Sequence, residues 1–473
     1  MRRILVAVVA LVSLVQVVGY GQAARLHPHR IAVFGSSVAN GRGDELGRDG
    51  YTGLLRVMMA QRGWEVLNQS RGGDNTKTLM TRFAPEGAPD PKTRYLMTVN
   101  PSYVVIGLSF GNENLYESKT KAEKDAVYDG YLKGIRAVVD RARQNGLIPV
   151  VMLCYTRDLY TPEDYEYVRR ANVEQAQWEV PTVNVLGAID DGKGHWALGW
   201  DDKHPQASGH REFLYSFVPS LFEALEKGKP SPVKATSGGF ARIASGVAPL
   251  TFAPQETMHP FALSIMVRTQ NDGTLATISG STLSTRTETR QNEGMPFMAT
   301  TLYADKPFTA SLAVQNGKFG YKPAGGAFID SGVRADAQWH TIVLSHFTAR
   351  GETLLFVDGK PAGKVAERME PTRFVVGGPG ATQAGVGADL QVRPGPRQAD
   401  YKDLFLYRSA LNADEAAAMS QGKLLKGSLE IYSPLTDGDF RADATVENRA
   451  QSLTALKVGT DRIVHMDEGT ATR

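Results

Sequence analysis

The chain has 473 residues, room for two or three domains at roughly 150 residues each. Hydrophobic residues make up 42% and charged residues 22%, a balance that supports buried cores and excludes a disordered or collagen-like chain. The 53 basic and 50 acidic residues leave a formal charge of +3, and no basic stripe or Lys/Arg block points to nucleic acid.

In chain order, residues 1–24 read as a signal peptide. Met1-Arg2-Arg3 is followed by an apolar run from Ile4 to Tyr20, interrupted only by Ser13, Gln16 and Gly19, and Gly21-Gln22-Ala23-Ala24 supplies small residues for cleavage. An uncleaved membrane anchor is the alternative, since the run is long for a cleaved signal; no cysteine follows for lipid attachment. The expected location is exported, periplasmic or extracellular.

Residues 28–227 alternate short apolar runs with helical periodicity. Strands are predicted at Ile31–Phe34, Trp64–Leu67, Tyr103–Leu108, Ile148–Cys154 and Thr182–Val185. Helices are predicted at Gly50–Gly63, Lys121–Gly146, Pro162–Gln177 and Gln206–Lys227, with Pro205 suited to the first turn of the last. Such alternation implies a parallel sheet covered on both faces. The one cysteine, Cys154, lies in the fourth apolar run; it excludes an intramolecular disulfide and reads as a buried bystander.

Residues 228–240 carry charges and prolines and read as a linker. From 241 to 473, short apolar runs such as Phe261–Val267 and Thr353–Val357 alternate with turn residues, and Asp358-Gly359 is a hairpin signal. One helix is predicted at Asn412–Gln421, capped by Asn412. This part reads as an antiparallel sandwich.

Three patches of the first part can carry chemistry. Gly35-Ser36-Ser37 follows the first strand, at the carboxyl end where open α/β sheets place ligands. Arg71-Gly72-Gly73-Asp74 follows the second, where a glycine pair lets backbone N–H groups approach an anion. Asp201-Asp202-Lys203-His204-Pro205 precedes the last helix; Asp201 can hold one ring nitrogen of His204 and leave the other facing a pocket. Each patch alone is equally a turn, a glycine loop or a helix entrance.

Taken together, these blocks resemble the SGNH (GDSL-type) hydrolases over residues 30–227. The resemblance implies a flavodoxin-like three-layer α/β/α sandwich, with Ser37 matching the nucleophile, Gly73 the oxyanion glycine, and Asp201 and His204 the closing pair. Two departures stand out: Ser36 replaces the aspartate that often precedes the nucleophile, and the third block reads Leu108-Ser109-Phe110-Gly111-Asn112-Glu113-Asn114 where Gly-x-Asn-Asp is usual. Asn112 is favoured as the oxyanion asparagine and Asn114 is the alternative, because a carboxylate at Glu113 cannot donate. The implied activity is ester hydrolysis through a Ser-His-Asp triad and an acyl-enzyme, with Ser37, Gly73 and Asn112 as oxyanion donors and no metal or cofactor.

Gln338-Trp339-His340 with Leu355-Phe356-Val357-Asp358-Gly359, and Tyr401–Leu411 followed by Asp414-Glu415, resemble the laminin-G-like (concanavalin-A-like) jelly roll over residues 240–435. The expected substrate is an acylated small molecule or polysaccharide, O-acetyl groups on a carbohydrate above all, with a glycan as the second domain's partner or that domain as a spacer. Lipid or thioester hydrolysis, and a catalytically inactive carbohydrate-binding protein, are the alternatives. His195 reads as a surface residue, His27 and His29 as a mobile stretch rather than a metal pair, and Glu163, Asp164 and Glu166 as helix-start acids.

Overall fold

The structure, a computed structural model, describes residues 27–236, 239–244, 249–292, 295–377, 398–458 and 464–467; the predicted signal peptide lies outside them. Five parallel strands form the first sheet: β1 (Arg30–Gly35), β2 (Glu65–Asn68), β3 (Tyr103–Gly107), β4 (Ile148–Met152) and β5 (Thr182–Val183), in the order β2-β1-β3-β4-β5. In β1, Ile31 and Val33 enter the core on one face while Ala32 and Phe34 enter the core on the other, all fully buried. Two-sided burial is why these strands read as unbroken apolar runs.

One face is covered by α2 (Thr76–Thr81), α3 (Lys121–Gln144) and α4 (Pro162–Gln175), the other by α1 (Gly50–Ala60), α5 (Leu186–Ile189), α6 (Ala207–Tyr215) and α7 (Leu221–Glu226). Reciprocal caps start α3 (Thr120 with Glu123) and α4 (Thr161 with Asp164, Pro162 in its first turn). Helix α2 is additional to the predicted helices and starts at a capping box of Asn75 and Thr78.

Two predicted boundaries move for identifiable reasons. The single helix expected at 206–227 is split into α6 and α7 around Pro219, which has no N–H to donate and restricts the residue before it. Pro205 lies outside the first turn: Gln206 is the N-cap of α6, and Pro205 is bridged to Gly199 instead. Strand β4 ends at Met152, and Cys154 is paired by the Asn172 side chain, which accepts from its N–H at 2.8 Å and donates to its carbonyl at 2.9 Å. Cys154 is fully buried, and burial pushes its thiol up to about 12.

The second part is a β-sandwich whose sheets, among the described residues, have eight strands each. Phe252, Leu263, Ile278, Leu312, Ile342, Phe374 and Leu406 pack in the core between them. Asp358 and Gly359 both take positive φ, 53° and 74°, as a tight two-residue hairpin turn requires. Asn412 caps α8 (Ala413–Ser420) and Glu415 returns the bond to the cap.

The segment expected as a linker is held against the sandwich. Lys229 Nζ donates to the carbonyls of Asn448 at 2.6 Å and Ser452 at 2.7 Å, and the sandwich's first strand already begins at Gly239. The two domains share a buried seam. The Asn184 amide donates to Glu415 at 2.7 Å, Glu212 on α6 holds His259 at 2.7 Å, and Arg408 donates to the Tyr215 carbonyl at 2.9 Å. The expected mobile His27–His29 stretch is pinned as well: His29 bonds Glu226 at 2.9 Å and packs on Trp64.

Candidate active site

The strand order reverses at β1, between β2 and β3, which opens a crevice at the carboxyl ends of these strands. Ser37, Gly73 and Asn112 follow β1, β2 and β3 respectively, so the topology brings the three blocks to one rim. Gly35 ends β1 so close to Gly107 and Ala39 that a side chain there would strike both. Ser36, in place of the family's aspartate, is buried and meets the Tyr155 hydroxyl at 3.3 Å.

His204 joins two of the predicted residues directly. Its Nε2 stands 3.0 Å from Ser37 Oγ, and its Nδ1 is 2.9 Å from both carboxylate oxygens of Asp201. With Nδ1–H donated to Asp201, Nε2 is left as an acceptor for the serine proton. Burial lowers the imidazole below its ordinary value of 6.5; Asp201 opposes that, while the charges of Arg157 and Arg42 reinforce it. The ring is therefore neutral, and able to accept a proton, around pH 7.

The oxyanion side is built from loops tied to one another. Gly73 takes φ 85°, a conformation that suits glycine, with open space around its Cα. The Asn112 amide donates to the Asp74 carbonyl at 2.9 Å, which sets it against the Gly73 loop. Asn114 is exposed, in a left-handed turn (φ 68°), and makes no such link. Asp74 is fully buried and braced by Arg71 and Arg82. Glu113 points away to accept from Thr76 N–H at 2.6 Å at the start of α2.

One residue had no motif to announce it. Arg157, 4% exposed, donates to the Gly111 carbonyl and to Asn112 Oδ1, both at 3.3 Å. A Cβ at position 111 would run into its guanidinium, so Gly111 in the irregular third block makes room for this arginine. His195 stays near the surface beside Asp191, at 3.4 Å.

The GDSL-like Lipase/Acylhydrolase family matches residues 33–212, the span that holds every one of these loops. The N-terminal domain is a GDSL/SGNH-like hydrolase domain. None of the curated proteins matches the chain. Among solved structures, the chain is similar to the acetylxylan esterase Axe2 from Geobacillus stearothermophilus, at 18% identity and TM-score 0.31, over 41% of this chain and 94% of that one. It is also similar to a SAP-like pentraxin from Limulus polyphemus, at 12% identity and TM-score 0.31, over 50% of this chain and 97% of that one. The GDSL/SGNH-like domain is followed by a β-sandwich of two antiparallel sheets, the architecture of a jelly-roll-like domain.

Proposed function

We propose that the protein is an exported serine esterase that removes acyl groups, O-acetyl groups on a carbohydrate foremost, through an acyl-enzyme on Ser37. The observation that carries this reading is the placement of His204 between Ser37 (3.0 Å) and Asp201 (2.9 Å).

Ser37 Oγ attacks the ester carbonyl as His204 Nε2 takes its proton. Asp201 stabilises the imidazolium so formed. The oxyanion is met by the N–H groups of Ser37 and Gly73 and the amide of Asn112. The alcohol leaves with the proton from His204, and a water, deprotonated by the same ring, releases the acid. Export rests on the sequence of residues 1–24, and the carbohydrate preference on export together with the appended sandwich.

Hydrolysis of p-nitrophenyl acetate by wild type and Ser37→Ala tests the chemistry: loss of turnover in the variant is expected, and equal rates would end the enzyme reading. Acetylated glycans, acyl thioesters and lipid esters offered to the wild type then rank the substrate classes. Faster turnover of either non-carbohydrate ester would replace the carbohydrate assignment.

A further inference from the structure

We propose that Gln206 is a positioning residue through which the β-sandwich holds the Asp201–His204 turn in place, making the second domain part of the catalytic apparatus. The inference rests on the esterase reading only for its link to turnover.

The sandwich sends out an arm. Strands Gly273–Asn292 and Met295–Gln315 pair with each other along their length, but the neighbouring strand Met369–Val376 stops at the Met369–Thr282 pair. Beyond it, Ser284–Asn292 and Met295–Tyr303 continue as a two-stranded ribbon. Such a ribbon is marginal by itself, and its outer edge presents unpaired N–H and C=O groups.

Gln206 fills that edge. Its Oε1 accepts from the Thr300 N–H at 2.7 Å and its Nε2 donates to the Met298 carbonyl at 3.3 Å, the pair of groups a further strand would engage. The same Nε2 donates to the Gly199 carbonyl at 3.1 Å. Gly199 is bridged to Pro205, and these two residues form the base of the turn that carries Asp201 and His204. One buried amide thus joins the base of the catalytic turn to the other domain.

A second link lies beside it. Gln206 is the N-cap of α6 yet makes no side-chain cap bond, its amide being used on the arm. Glu45 serves instead: its Oε2 accepts from Ala207 N–H at 2.7 Å, and its Oε1 faces Arg290 of the arm at 3.6 Å. Glu45 belongs to the loop that begins at Ser37, and Gly43 of that loop packs on His204 and Pro205. Both links fall within three residues of His204, whose Nε2 stands 3.0 Å from Ser37 Oγ.

The decisive substitution is made in the sandwich. Thr300→Pro removes the N–H that Gln206 accepts while costing no ladder bond, because that group faces the ribbon's edge; Thr300→Val keeps it. On p-nitrophenyl acetate, Thr300→Pro and Gln206→Met are expected to lower kcat by about 10- to 100-fold with KM nearly unchanged, and Thr300→Val to behave as wild type. Hydrogen exchange at the Trp200 amide, which donates to the His204 carbonyl at 2.9 Å, is expected to quicken in Thr300→Pro and not in Thr300→Val. Unchanged exchange and wild-type kcat in Thr300→Pro would overturn the clamp. Should that variant not fold, wild-type kcat and exchange in Gln206→Met would do so. Faster exchange in a chain whose wild type hydrolyses no ester would uphold the clamp and sink the esterase reading instead.

Discussion

Arg157 donates to Asn112 Oδ1 at 3.3 Å while the amide nitrogen of Asn112 donates to the Asp74 carbonyl at 2.9 Å. The amide is held from both ends, its oxygen toward a buried cation and its nitrogen toward the Gly73 loop. Arg157 donates here to uncharged oxygens, the Gly111 carbonyl and Asn112 Oδ1. Replacing it removes both the hold on Asn112 and a positive charge that helps keep His204 below 6.5. Arg157→Met is therefore expected to lower kcat for p-nitrophenyl acetate and to move the acid limb of the kcat/KM profile upward. The limb moves in that direction because the imidazolium is less disfavoured once the neighbouring cation is gone. Arg157→Lys, which keeps the charge and loses the planar fork, retains the limb better than the rate.

The two asparagines of the third block separate by experiment. Asn112→Ala is expected to cost on the order of 10²–10³ in kcat, the usual effect of removing one oxyanion donor. Asn114 is exposed at φ 68°, so Asn114→Gly leaves kcat near wild type. Steady-state kinetics on the two variants check the assignment.

Stability carries a pH signature at the domain seam. His259 is buried between Glu212 at 2.7 Å and Glu370 at 3.6 Å, and although burial opposes its charge, the two carboxylates hold it up at about 9. A histidine raised in the folded state stabilises fully below its unfolded value of 6.5, and the contribution is lost as pH rises through 9. A rise of that size corresponds to about 3 kcal/mol. Thermal denaturation followed from pH 6 to 10 is expected to show Tm falling across this window in the wild type, and a shallower fall in His259→Gln.

Cys154 offers a simple check of packing. It is fully buried, donates to the Tyr131 hydroxyl at 3.3 Å, and its thiol lies at about 12. A thiol reagent such as DTNB is expected to be inert toward the native chain at pH 8 and to titrate one thiol in denaturant. Rapid labelling of folded protein would contradict this environment.

Much of the first domain is legible in the sequence because its signals are local or periodic. Strands buried on both faces announce themselves as apolar runs, as Ile31–Phe34 and Val104–Ile106 do. Asp201 and His204 are three residues apart, close enough for the pairing to be read from spacing. Asn75 with Thr78, and Pro219, were equally local signals for the start of α2 and the break after α6. Other features depend on distant partners. Gln206 reads as an ordinary helix entrance until Thr300, 94 positions on, is placed against it. Arg157 follows β4 without any pattern around it, and the glycine at 111 is explained only by the guanidinium packed there.

The pinned entry of the chain has a practical consequence. His29 is fastened to Glu226, and the His27 carbonyl accepts from Ser102 at 2.6 Å, at the amino-terminal end of the parallel sheet. Ser37 stands past the other end of the six-residue β1, ~20 Å away at strand rise. Any tether ahead of His27, whether a lipid bilayer anchor, a fusion partner or a solid support, is thus moored to the floor of the sheet while the nucleophile opens from its roof. Attachment through that terminus would therefore place the support at the end of the sheet opposite Ser37.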